Sequence, residues 1–94
     1  IIVCGDSDKE KKAGFLTEDC SAAIQNMLLA AHGIGLGAVW CGLYPVPALT
    51  KAVTELLDFP ENILPIGLVV TGHKNEERKA VDLYDEQKVH YDKW

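Results

Sequence analysis

Cysteine, positive charge and long apolar runs are all scarce in this chain, and each shortage excludes something. The cysteines are Cys4, Cys20 and Cys41, an odd count with no C-x-x-C pair. That is not a disulfide framework, and no His stands at a metal-ligand spacing from them. Each is flanked by apolar or small residues, so three buried thiols in a reducing cytoplasm are expected, with no metal site. No apolar stretch approaches the ~20 residues that span a bilayer. The opening has no basic segment before its apolar residues, so no secretory leader is expected. Lys and Arg number 9 against 14 Asp and Glu, a formal net charge of −5. Nucleic acid demands a basic face, so it is excluded as a partner, and nothing points to a membrane surface. A cytoplasmic protein is expected.

What remains is a globular composition. The 94 residues are 48% hydrophobic and 24% charged, which suits one small domain. A chain of this size buries roughly 60–70% of the surface its unfolded form exposes. It begins without Met, in Ile1-Ile2-Val3-Cys4, which already reads as a strand. A domain seldom begins inside its own sheet. Residues 1–94 are therefore expected to be the C-terminal part of a single longer domain.

The pattern along the chain is short. A strand at Ile1–Cys4 ends at Gly5-Asp6, and a charged, non-periodic loop follows over Ser7–Gly14. A helix then starts near Thr17 or Asp19, either of which can cap it, with Glu18 and Asp19 suited to its positive end. Cys20, Ile24, Met27, Leu28 and Ala31 recur at the spacing of one buried helical face. Ala22, Ala23 and Ala30 make the helix rich in small residues, which allows close approach of a neighbour or a flat ligand. Gln25 and Asn26 read equally as solvent-facing or as a ligand or subunit contact. His32 sits in the last turn and Gly33 is the natural stop.

Gly33–Ala38 fits the letters G-x-G-x-x-A of a dinucleotide loop. That loop needs a strand before it and a helix after it, and here the order is reversed, so the match is rejected. Ala38–Cys41 is a short strand ending at Gly42, where no side chain obstructs a backbone N–H. Ala48–Leu57 reads as an amphipathic helix with Leu49, Val53, Leu56 and Leu57 on its apolar face. Ile63–Thr71 is the most apolar run, the central strand, closed by Gly72. After a polar loop, Lys79–Trp94 alternates charges with Val81, Leu83, Tyr84, Val89, Tyr91 and Trp94. It cannot form its own core and reads as an arm lying on another surface, such as a partner subunit.

In this order, the elements resemble the C-terminal half of the nitroreductase family, the FMN-dependent flavoenzymes. Four pieces carry the likeness: Asp19-Cys20-Ser21-Ala22-Ala23 through Asn26; Leu29-Ala30-Ala31-His32 through Gly35-Leu36-Gly37-Ala38-Val39-Trp40; Pro60-Glu61 leading to Pro65 and Gly72; and Tyr84-Asp85-Glu86 through Lys88-Val89-His90 to Trp94. The resemblance implies an α+β fold with a mixed β-sheet flanked by helices. It further implies a homodimer with exchanged C-terminal arms and two FMN sites at the subunit interface. The implied activity is ping-pong: NAD(P)H delivers a hydride to flavin N5, and a nitroaromatic, quinone or related acceptor then takes the electrons. The cofactor carries that chemistry, so no catalytic side chain is expected, and no Ser/His/Asp or Cys/His nucleophile is found.

By the same resemblance, Gly42 offers its N–H to flavin N5, and Trp40 and Cys41 pass along the isoalloxazine ring. Trp40 reads as well as a core aromatic. Arg78 matches a basic residue on the FMN phosphate, and reads otherwise as a solvated loop charge. Relatives often carry an Arg where this chain has Leu83, a position for which Lys79 could substitute. Leu83 favours the alternative of a non-catalytic dimeric module without productive FMN binding. The third reading is an unrelated small α/β domain whose glycines only shape a turn. His73 and His90 read as a loop histidine and a tail-docking residue, or as proton donors.

Overall fold

The computed structural model describes residues 1–10 and 14–94. Their order is β1 (Ile2–Asp6), α1 (Leu16–Gly33), β2 (Leu36–Gly42), α2 (Pro47–Leu57), β3 (Ile63–His73) and a short 3-10 turn, Glu86–Lys88. The three strands form one sheet in the order β1-β3-β2. The most apolar run is thus the central strand. The resemblance implies a mixed sheet, but within this chain both pairings are antiparallel, Ile2 opposite Leu68 and Gly42 opposite Gly67. β3 runs two residues further than its apolar run. Gly72 does not close it but pairs with Gly37 inside the ladder.

Helix α1 lies across the sheet on the face its periodicity specifies. Ile24 and Ala31 are buried, Cys20, Met27 and Leu28 are half-buried, and Gln25 and Asn26 are exposed. Ile24 is 0% exposed, and with Ala31, Leu43, Ile66 and Val69 it makes the core. Glycine lets the helix come close at two points. A Cβ on Gly5 would overlap the Leu16 side chain, and one on Gly67 would overlap the Trp40 indole and lie 2.7 Å from Ile24 Cδ1. The helix ends through Gly33, and Gly35, at φ 82°, makes the turn into β2.

The start of α1 differs from expectation. Neither Thr17 nor Asp19 caps it, because the helix begins earlier, at Leu16, and Phe15 at the N-cap offers no side-chain acceptor. Glu10 does that work from the preceding loop. Its Oε1 accepts from the N–H groups of Gly14, Phe15 and Leu16 at 2.9, 2.9 and 3.0 Å. The charged segment 7–14 is therefore in part a capping device, although Lys11, Lys12 and Ala13 lie outside the described residues. Replacing an N-terminal cap costs about 0.5–2 kcal/mol, and a carboxylate at this end also meets the positive end of the helix dipole. Glu10→Ala should accordingly lower stability by about 1–2 kcal/mol in urea denaturation. Glu10→Gln, which keeps an acceptor oxygen, should lose distinctly less.

A second polar knot joins the end of β1 to the start of β3. Asp6 accepts from Asn62 Nδ2 at 2.9 Å and from the Asp8 N–H at 3.1 Å, and pairs with Lys9 at 3.3 Å. The Asn62 bond, more than Lys9, holds the Asp6 carboxyl below its ordinary value of 3.8. A folded value below the unfolded one stabilises the fold fully above the unfolded value, and the contribution is lost as pH falls through the folded value. The urea midpoint should therefore fall as pH drops below about 4, and Asn62→Ala should make that fall shallower.

Two apolar surfaces stay open. On α2, Leu56 is 80% exposed and Leu49 and Leu57 are 45% exposed, so the expected apolar face is only partly covered. Val39 and Val70, a cross-strand pair, are both exposed on the sheet. The tail is open as well: Val81, Leu83, Tyr84 and Tyr91 are exposed, and Trp94 is wholly so. Within it His90 stacks on Trp94, with ring centroids 4.2 Å apart.

Candidate functional site

The free edge of β2 carries three of the expected cofactor-binding residues, Trp40, Cys41 and Gly42. Its orientation follows from the hydrogen bonds of β3. Val69 bonds toward β1: its N–H donates to the Ile1 carbonyl at 2.8 Å, and its carbonyl accepts from the Ile1 ammonium at 2.9 Å. Backbone groups alternate sides along a strand, so Leu68 and Val70 bond toward β2. Leu43, whose N–H donates to the Ile66 carbonyl at 3.1 Å, follows the same phase. The residues opposite Leu68 and Val70 are Cys41 and Val39. The alternate residues Ala38, Trp40 and Gly42 then turn their N–H and C=O groups away from β3. Among the described residues, in the order β1-β3-β2, no strand lies on that side.

Side chains alternate in the other direction, across the faces. Trp40 is on the α1 face, its indole edge filling the space above Gly67 beside Ile24. It is nevertheless 37% exposed, so it is both a packing residue and part of an accessible rim. Cys41 points to the opposite face and is exposed, against the expectation of a buried thiol. It lies near the end of the edge strand, on the face away from α1. Gly42 is open: a Cβ built there meets no atom within 4 Å. An N–H on that edge, with no side chain beside it, is a donor open to an acceptor.

Arg78 and Lys79 are not at that end. Arg78 shares a shallow depression with His32, Gly37, Ala38, Lys74 and Asn75, where α1 hands over to β2. From Ala38 to Gly42 a strand rises about 14 Å. The structure thus gathers Trp40, Cys41 and Gly42 at one end of β2 and puts Arg78 at the other. Arg78 is exposed and bonds Glu76, Nη2 to Oε1 at 2.6 Å and Nε to Oε1 at 2.7 Å. Lys79 and Leu83 are exposed in the chain that follows. His73 ends β3 at the surface.

Residues 3–73 match the sequence profile of the nitroreductase family. The chain belongs to the nitroreductase family. The helix–sheet arrangement described above is part of that α+β fold. Over all 94 residues the chain is 45% identical to a protein of Methanothermobacter thermautotrophicus named "Putative NADH dehydrogenase/NAD(P)H nitroreductase", covering 49% of its length. A crystal structure of a protein with the same name from Bacteroides thetaiotaomicron superposes with a TM-score of 0.91 at 42% identity. That match covers 99% of this chain and 54% of the other. A nitroreductase of Clostridium difficile described as FMN-dependent superposes at 0.87 with 26% identity, over 99% of this chain and 56% of that one. The chain therefore spans about half the length of the nitroreductases it matches. Among the described residues no helix is long and apolar enough to cross a membrane, and no cluster of three or more His, Cys, Asp or Glu could hold a metal ion.

Proposed function

We propose that the protein to which this chain belongs is an FMN-dependent NAD(P)H oxidoreductase, and that this chain forms the strand side of its flavin site. The observation that carries the reading is the outer edge of β2, where the Gly42 N–H turns away from β3 and no atom stands where a side chain would be. FMN, when bound, would supply the redox chemistry, carrying electrons from NAD(P)H to a nitroaromatic, quinone or related acceptor. The chain's own residues bind and orient. Gly42 would offer its N–H to an acceptor atom of the ring, a bond that would favour the electron-rich form. Trp40 and Cys41 line the strand beside it. Arg78 and Lys79 supply cations toward the phosphate. Arg78 would have to leave Glu76, but an exposed pair of this kind contributes little to stability, and a phosphate offers the same fork better geometry.

The relatives' names support the nicotinamide donor, and the Clostridium difficile nitroreductase supports FMN. The resemblance supports a homodimer with the flavin at its interface, and the uncovered sheet face, α2 and aromatic tail leave apolar surface for such a partner or for the rest of the domain. A cytoplasmic location agrees with the thiols and the acidic charge. Leu83, 86% exposed, keeps the second reading in play, a dimeric module of this fold without productive FMN binding.

The deciding measurement is the visible absorption spectrum of the natural full-length protein. The expected result is an oxidised-flavin spectrum that bleaches with NADH or NADPH. A protein that stays colourless after incubation with FMN sinks the reading and leaves the module.

A further inference from the structure

Gly42 has no side chain to hold it, so the position of its N–H depends on what anchors β2 on either side. Beyond it, Leu43 is buried and its N–H donates to the Ile66 carbonyl. Before it stands Trp40. Across the sheet Trp40 pairs with Val69 and Gly42 with Gly67. The indole nevertheless occupies the space that a Cβ on Gly67 would need, so it leans along the sheet onto the residue opposite Gly42. Ile24 Cδ1 reaches the same spot from α1, 2.7 Å from where that Cβ would be. The backbone groups of Gly42 and Gly67 turn away from each other, the kind of pair in which two strands come closest, about 4.5 Å between Cα atoms. The indole therefore covers one half of a bare glycine pair. The other half, Gly42, has no atom within 4 Å of where its Cβ would be.

We propose that Trp40 is a positioning residue of the flavin site: by seating its indole on Gly67 beside Ile24, it holds the Gly42–Gly67 pair in place and so aims the Gly42 N–H. The inference rests on the proposed function and gives Trp40 a part that needs no contact with the cofactor.

Two opposed glycines have the widest backbone freedom of any cross-strand pair, and with no side chains they have no packing of their own to restrain them. The ladder bonds between Cys41 and Leu68 restrain β2 only on the side facing β3. The indole adds a restraint across the face of the sheet. It is a flat, rigid plate, and it is seated where α1 and β3 meet. A donor held in one direction stabilises charge without having to reorganise. A displacement of about 1 Å, made away from the reacting atoms, can cost about 10²-fold in rate. Trp40 thus acts on the reaction through Gly67 and Gly42.

The test uses the natural full-length protein incubated with FMN. The urea midpoint, the flavin midpoint potential and the NAD(P)H-dependent kcat/KM are read on the parent and on Trp40→Leu, Gly67→Ala and Ala31→Gly. Trp40→Leu removes the plate. Gly67→Ala puts a Cβ into the seat of the indole from within β3. Ala31→Gly thins the same core two helical turns beyond Ile24 and shows what lost packing alone does. The expected result is that Trp40→Leu and Gly67→Ala each weaken the preference for reduced over oxidised FMN about tenfold, less than outright loss of the donor. That is a fall of about 30 mV for a two-electron couple. Their kcat/KM should fall by about 10–100-fold, while Ala31→Gly keeps the potential of the parent. A parental potential in Trp40→Leu or in Gly67→Ala overturns the inference, as does an equal fall in Ala31→Gly. If Trp40→Leu does not fold, Gly67→Ala decides alone. A parent that takes up no FMN sinks the proposed function, and this inference with it, before any variant is compared.

Discussion

Gly67→Val should unfold the protein or cost it at least about 3 kcal/mol, the largest stability loss expected from any single substitution in the sheet. A Cβ at this buried position would overlap the Trp40 indole and lie 2.7 Å from Ile24 Cδ1. Ile24 Cδ1 is the end of a flexible chain and can turn aside. The indole is a rigid plate, and it must swing off the sheet. A β-branched residue ordinarily gains about 1 kcal/mol over glycine in a strand, and overpacking costs about 1–3 kcal/mol for each modest insertion. Val adds two further methyls to the overlapping Cβ, so the clash outweighs the strand preference. Gly67→Ala should cost less, about 1–2 kcal/mol. The diagnostic is a double-mutant cycle with Trp40→Ala, read by urea denaturation of the full-length protein. Because the indole occupies the space the new side chain needs, the double variant should be more stable than the sum of the two single losses predicts. Strict additivity would show that Trp40 and Gly67 do not share that space.

That contact marks the limit of what could be read along the chain. The α1 face was legible because helical periodicity is local, and Cys20, Ile24, Met27, Leu28 and Ala31 are the residues turned to the sheet. β3 was legible because a central strand is apolar on both faces. Family membership was legible from the residues around Gly35–Trp40. The cap by Glu10 was not, since its carboxylate reaches across an irregular loop at spacings of four to six residues that no capping motif describes. Nor was the exposure of Cys41, whose flanking residues, Trp40 and Gly42, are apolar or small. Its surroundings depend on which strand lies at the sheet edge, and that is set by pairings with residues some 27 positions away, Cys41 with Leu68. The same long-range order decides that the Gly42 N–H is free. The family resemblance pointed to the glycine, and the topology shows which way its N–H turns.

Gly42→Pro should abolish most of the proposed reductase activity while leaving the fold intact. Proline removes the backbone N–H, the one group by which Gly42 is proposed to act. In most strand positions that would also break a ladder bond. Here the N–H faces the free edge, where proline is tolerated, and the preceding residue, Cys41, is already extended as proline requires. Removing a single hydrogen-bond donor of this kind costs about 10²–10³ in rate, equivalent to about 2.7–4 kcal/mol. We expect a fall of about 100-fold in NAD(P)H-dependent kcat/KM, with a near-native urea midpoint. Gly42→Ala separates the N–H from the shape of the site. It keeps the donor, and its Cβ meets no atom of this chain within 4 Å. If its activity falls as far as that of the proline variant, the requirement is for bare backbone against the ligand and the hydrogen bond is secondary. If it stays within about tenfold of the parent while the proline variant collapses, the donor carries the effect. A Gly42→Pro protein that binds FMN and keeps full activity would leave the free N–H of β2 without the role assigned to it.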